Sequence, residues 1–397
     1  MRNFALLLHR WAGLFIAVFL IVAGLTGAVI SWDHAIDEWL NRDLFMTESS
    51  GPTKSPLELA EVVEAHDSRA QVIYLPLHAE PGHTMVFMVA PRKDAASGKP
   101  FELGYDEVFI DLVTAQVVGT RNAGEVSLSW RTLMPFLRQL HESLHMPAPE
   151  NWPRLGYQFM GIVALVWFLD AFVAVYLTLP RKLSKGWMQR WWQAWRVRWA
   201  GGSYKLNFDF HRAFGLWTWI LVLIIAFTSF SLNLYREVFH PAMSLVSQVT
   251  PSPFVSRPFS PTPIEPEISF GEILTLATKA AQEKNWDRPP GGIFYARDLG
   301  FYSVAYFHED AEDGNGMEIA NMYFDGKDAA YLGEHLPWHG TAADVFTQLQ
   351  FPLHSGRILG LPGRILMSVM GLVVAMLSVT GIIIWARKRR ARKLAVG

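Results

Sequence analysis

Four of the 13 histidines in this chain stand at matched places in a sequence that is written twice. His9-Arg10-Trp11-Ala12-Gly13-Leu14-Phe15 opens one long apolar run, and His211-Arg212-Ala213-Phe214-Gly215-Leu216-Trp217 opens another. Gln139-Leu140-His141-Glu142-Ser143-Leu144-His145 and Gln348-Leu349-Gln350-Phe351-Pro352-Leu353-His354 precede two more, which sets His145 against His354. Neutral imidazole is an axial ligand for heme iron. A lone histidine at the end of a membrane helix more often bonds to backbone or lipid headgroup. Two pairs in register change that balance and predict His9 with His211, and His145 with His354, as the iron ligands of two bis-histidine hemes at different depths. The chain has no cysteine, which excludes thiolate-ligated clusters, a thiolate heme ligand and any disulfide.

The elements that must position these residues are membrane helices. Residues 11–31, 157–179, 214–234 and 365–385 each run for over twenty residues with almost no charge, long enough to cross a hydrocarbon core of about 30 Å. The net charge of −1 averages two unlike surfaces. Residues 180–207 carry seven lysines and arginines with no acid, and the C-terminus reads Arg387-Lys388-Arg389-Arg390-Ala391-Arg392-Lys393. The positive-inside rule puts both in the cytoplasm, with an uncleaved N-terminal anchor and both long loops outside.

The outer loops repeat as well. Residues 55–66 read as a capped helix followed by strands at 70–77, 84–90 and 107–120; residues 270–284 read as a helix followed by strands at 292–297, 301–308 and 318–333. Phe109-Ile110-Asp111 to Gly119 matches Tyr323-Phe324-Asp325 to Gly333 with the same spacing. The proline-rich stretch 250–266 is an extended connector.

The His-Arg helix starts, the Phe-Ile-Asp and Tyr-Phe-Asp hairpins, the Leu-His segments and the basic C-terminal stop together resemble the PepSY-associated transmembrane family of iron-uptake and iron-regulated membrane proteins. Within it the chain is most similar to the inner-membrane siderophore-iron reductases. That resemblance implies heme b held between helices and reduction of ferric siderophores in the periplasm. The expected fold is a polytopic α-helical membrane protein with four transmembrane helices in two pseudo-symmetric pairs and two small α+β PepSY-like periplasmic modules. Its divisions are a first span at 1–31, a periplasmic module at 32–154, a second span at 155–180 and a tryptophan-rich cytoplasmic linker at 181–210. A third span at 211–234, a second module at 235–354, a fourth span at 355–386 and a basic tail at 387–397 complete it.

Other residues carry weaker signals. His141 lies one helical turn before His145 and so on the same face, but its repeat partner is Gln350. It is a reserve ligand, a propionate contact or a surface histidine. His34 and His240 are lower-tier ligands, and His66, His78, His83, His308, His335 and His339 lack tight ligand spacing. Arg10 and Arg212 suit heme propionates by bidentate bonds, and equally suit membrane topology. Asp170 interrupts the second span where the fourth has Thr380; it tunes a heme, carries a proton or bonds a neighbouring helix. Gly24, Gly27, Ala28, Gly371 and Gly381 are close-packing positions. Trp187, Trp191, Trp195 and Trp199 recur every fourth residue among arginines, the pattern of an interfacial helix.

No glycine-rich dinucleotide motif follows a strand on the cytoplasmic side. The electron donor is therefore expected to be membrane quinol or a cytoplasmic reductase, the acceptor a ferric siderophore or other iron chelate, the solvent a bacterial inner-membrane bilayer, and nucleic acid no partner. The competing readings are a non-catalytic PepSY-type binding or regulatory membrane protein, and an iron or heme permease component.

Overall fold

The structure is a computed structural model and describes residues 1–78, 80–149, 152–182, 184–308 and 317–395. The first half of the chain gives α1 (Arg2–Ile30), α2 (Pro56–His66), β1 (Ala70–Pro76), β2 (Met85–Pro91), β3 (Glu107–Ile110), β4 (Val117–Arg121), α3 (Leu133–Ser143) and α4 (Leu155–Thr178). The second gives α5 (Gly202–Trp217), α6 (Trp219–Asn233), α7 (Phe270–Glu283), β5 (Pro290–Ala296), β6 (Phe301–Tyr306), β7 (Ala320–Asp325), β8 (Tyr331–His335), α8 (Gln350–Ser355) and α9 (Gly360–Leu394). These fall into two compact units: a helical one made of Met1–Trp32, Leu137–Ala242 and Leu349–Gly397, and a sheet unit made of Asp33–Phe136 and Met243–Gln348.

In the helical unit, α1, α4 and the helical stretch Arg357–Leu394 are each long and apolar enough to cross a membrane. The expected third span departs from expectation: α5 and α6 meet at a 72° bend. The break is at Thr218, whose hydroxyl donates to the Phe214 carbonyl one turn back, a bond that bends helices, while the next indole, Trp219, donates to Ala171 O on α4. α1 packs on α9 and α4, and the backbones of α1 and α9 touch where two glycines meet. A Cβ on Gly24 would lie 2.5 Å from the Gly371 carbonyl oxygen. The tryptophan linker forms an α-helix over Trp187–Trp192 and a 3-10 turn over Gln193–Trp195 and stops short of Trp199; Trp191 packs with Trp187 and Trp195.

In the sheet unit the two expected modules are one object. Their strands form a single eight-stranded antiparallel sheet in the order β4-β3-β2-β1-β5-β6-β7-β8, joined at its centre by β1 and β5 through Tyr74↔Phe294, Leu75↔Ile293 and Pro76↔Gly292. The duplication is preserved in detail. Ser55 and Ser269 each cap a helix reciprocally with a glutamate three residues on, and Phe109↔Gly119 and Tyr323↔Gly333 are equivalent register pairs, each next to a bulge. α2 and α7 lay Leu59, Val63, Ile273 and Ala277 on one shared core with Leu75, Phe87, Ile293 and Tyr302. Within the expected modules of 32–154 and 235–354, residues 137–149, 152–154, 235–242 and 349–354 group with the helical unit. The first and last of these segments carry the Leu-His motifs.

Candidate functional site

Both histidine pairs lie within the helical unit. His9 on α1 faces His211 on α5 with ring centres 6.2 Å apart and planes inclined by 47°. In the second pair His354 on α8 faces His141 on α3, with centres 6.1 Å apart and planes at 53°, where the sequence alignment sets His354 against His145. The reason is where α3 stops. It ends at Ser143, and Leu144 and His145 both adopt left-handed backbone (φ 57° and 49°), so the chain has turned out of the helix before His145.

Each imidazole is held through Nδ1 by a different helix. His211 Nδ1 lies 2.9 Å from Leu377 O and 3.1 Å from Thr380 Oγ1 on α9; His141 Nδ1 lies 2.9 Å from Ala23 O and 3.2 Å from Thr26 Oγ1 on α1. His354 Nδ1 lies 3.1 Å from Thr228 Oγ1 on α6, with the Ile225 carbonyl its backbone partner. One motif serves all three: a threonine and the carbonyl three residues before it. The threonine protons are committed to Met376, Val22 and Ile224 carbonyls, so the hydroxyl oxygens accept and Nδ1–H donates. His9 departs from the motif. Its Nδ1 bonds to Asp170 Oδ2 on α4 at 2.8 Å. With Nδ1 protonated, Nε2 carries the free lone pair, which is the tautomer a metal needs.

The residue after each acceptor is small: Gly27, Ala171, Ser229 and Gly381. A Cβ on Gly27 would sit 2.9 Å from His141 Cε1, and one on Gly381 3.2 Å from His211 Cε1. These glycines make room for rings as well as for helices. The Thr26 and Thr228 acceptors escaped sequence reasoning, although the recurring Thr-Gly, Thr-Ser, Thr-Gly and Asp-Ala steps, one per expected span, are a signal that would have found them.

A cavity of about 1240 Å³ opens around the first pair. Its body is apolar, and Arg10, Arg212, Lys388, Arg389, Arg392 and Lys393 make part of its wall basic. Arg212 donates to Asp209, which is fully buried and also held by Arg198. Arg10 lies over the Trp11 ring. Nε of both arginines is buried without a hydrogen-bond partner.

The remaining candidates stand elsewhere. His34 packs edge-on to Phe45 in the sheet unit and His240 against Tyr235 in the helical unit. His339 Nδ1 bonds to Pro337 O, and burial pushes His335 below its ordinary pKa against the nearby Asp344 carboxylate. An imidazole nitrogen sits about 2 Å from a first-row metal and its ring centre about 1.2 Å further, so an ion shared by two rings separates their centres by roughly 6 Å. Both pairs have that spacing.

Residues 6–388 match the PepSY-associated TM region. The chain belongs to this PepSY-associated family. Curated proteins provide no match. Membership of the PepSY-associated family and the long apolar helices together make it a multi-pass membrane protein.

Proposed function

We propose that this protein is a two-heme membrane oxidoreductase that passes electrons across the bilayer to the iron of a ferric siderophore or similar chelate. The observation that carries the reading is the two facing imidazole couples, each spaced for one shared metal and each with Nε2 left for it. Two protein nitrogens are too few for a bare ion, and among the described residues no group of three or more acidic or histidine side chains could hold one. The other donors must come with the ligand, as the porphyrin nitrogens of heme do. The apolar cavity at His9 and His211, with the unpartnered Nε atoms of Arg10 and Arg212 in reach of acidic groups, suits a flat macrocycle bearing propionates.

Heme b, when bound at each pair, would supply a one-electron carrier. The chain supplies its placement. Along α1 the residues that define the two pairs, His9 on one side and Ala23 and Thr26 on the other, are separated by roughly 20–25 Å of helix, most of a bilayer core. The basic linker and tail favour a cytoplasmic setting for the first pair, where membrane quinol or a reductase protein would donate. One electron converts ferric to ferrous iron, which siderophore oxygens hold far more weakly, so the metal leaves. A quinol oxidised to quinone gives up two protons and two electrons, enough for two such releases. The choice of acceptor rests on the family resemblance.

The test is optical and mutational. Purified protein from heme-replete cells should show two low-spin hemes that dithionite reduces and a ferric chelate reoxidises. His141→Ala and His354→Ala should each abolish the same one, His9→Ala and His211→Ala the other, and His145→Ala neither. A colourless protein would sink the proposal.

A further inference from the structure

All four histidines are held through Nδ1 by a neighbouring helix, and one of the four acceptors differs in kind. Three donate Nδ1–H to a threonine hydroxyl and a backbone carbonyl, both neutral, whereas His9 donates to the carboxylate of Asp170 at 2.8 Å. Asp170 is 7% exposed, and its second oxygen, Oδ1, is buried with no partner. At the equivalent place on α9 stands Thr380, which holds His211. A threonine there would satisfy the ring equally well and spare the helix a buried carboxylate, so packing alone does not explain the aspartate.

We propose that Asp170 is a positioning residue that lowers the reduction potential of the His9–His211 centre relative to the His141–His354 centre and so sets the direction of electron flow. This rests on the two-heme reading above. A carboxylate accepting from the far nitrogen of a metal-bound imidazole raises the basicity of the ligating nitrogen, and a more basic ligand favours the ferric over the ferrous state. The opposing charges at this site are Arg10, Arg212 and the basic residues of α9 that line the same cavity. Arg212 is already shared with Asp209, and none of them bonds to either imidazole. Asp170 alone touches a ligand, and it does so at one pair only. The first centre becomes the better reductant, and electrons run from it to the second.

The experiment is a spectroelectrochemical titration of the full-length hemoprotein as wild type, Asp170→Asn and Asp170→Thr, the last being the residue the scaffold itself uses at the matching site. The midpoint of one heme should rise in both variants while the other stays fixed, and Asp170→Glu should restore most of the original value. In heme-free protein labelled with nitrogen-15 at histidine, the His9 Nδ1–H proton should move upfield on Asp170→Asn with the other three unmoved. Two intact low-spin hemes whose midpoints do not change, or change together, would overturn the role of Asp170 and leave the two-heme reading standing. Absence of two low-spin hemes in the wild type would overturn that reading itself.

Discussion

An imidazole becomes a ligand only when something fixes its rotation, and here the fixing residues are as particular as the histidines. The pedestal glycines are the sharpest probe. Gly27→Val would push a side chain into the His141 ring, and Gly381→Val into that of His211, because a Cβ already lies 2.9 Å and 3.2 Å from the respective Cε1 atoms. Each variant should lose, or convert to high spin, only the heme of its own pair, read as half the low-spin absorbance, with the other spectrum unaltered. At this scale the sequence was readable where symmetry alone decided. His9 faces His211, the residue that its repeat position sets against it, and His354 faces an imidazole other than the one its repeat position names. The fourth partner was not readable, since the choice between His141 and His145 depends on a helix ending at Ser143, and a chain leaving a helix through left-handed leucine and histidine has no local marker such as glycine. Asp170 and Thr380 were recognisable as repeat equivalents, but that each bonds a histidine from another helix is a tertiary fact.

Among the elements, the paired hairpins show what duplication preserves. Asp111 accepts from the Val113 and Thr114 amides and from the Thr47 hydroxyl; Asp325 accepts from the Lys327 amide and pairs with Arg257. Burial pushes both carboxyls up, and these bonds outweigh it, leaving both below their ordinary value. A depressed folded-state pKa stabilises the fold above the ordinary carboxyl range and ceases to do so as pH falls through the lowered value. The sheet unit should therefore lose stability on acidification below about pH 4, and Asp111→Asn should flatten that dependence, as followed by intrinsic fluorescence. Each turn also holds an alanine in left-handed backbone, Ala115 at φ 57° and Ala329 at φ 58°. Glycine at either site should stabilise by about 0.5–1 kcal/mol, raising the unfolding midpoint, and the two effects should add. The hairpin spacing was legible because turn chemistry is local. The buried cluster of Arg121 with Asp37 and Glu107, which ties the helix Asp33–Leu40 to β3 and β4, was not, because it joins three distant stretches. Arg121→Met would strand two carboxylates and should cost about 3–5 kcal/mol.

For the molecule as a whole, the single sheet constrains the topology independently of charge. β1–β4 and β5–β8 share main-chain bonds across β1 and β5, so the two halves must lie on the same side of the membrane. Between them the chain runs through the helical unit from Leu137 to Ala242 and must cross an even number of times. With α4 as one crossing, the bent pair of α5 and α6 is predicted to supply the other, even though α6 alone, at 15 residues, is shorter than the roughly 20 that a straight span requires. With α1 and α9 we predict four crossings, which would put both termini on the side opposite the sheet. The lack of native cysteine makes this testable with single labels. Glu102→Cys and Lys327→Cys, on opposite halves of the sheet, should both react with a membrane-impermeant maleimide in intact spheroplasts, whereas Arg390→Cys should react only after lysis; all three positions are exposed. Opposite reactivity of the two sheet positions would mean that the β1–β5 pairing does not form in the membrane. Equal labelling of Arg390→Cys before lysis, with both sheet positions also reactive, would mean that α9 does not cross and would take the basic tail off the cytoplasmic side.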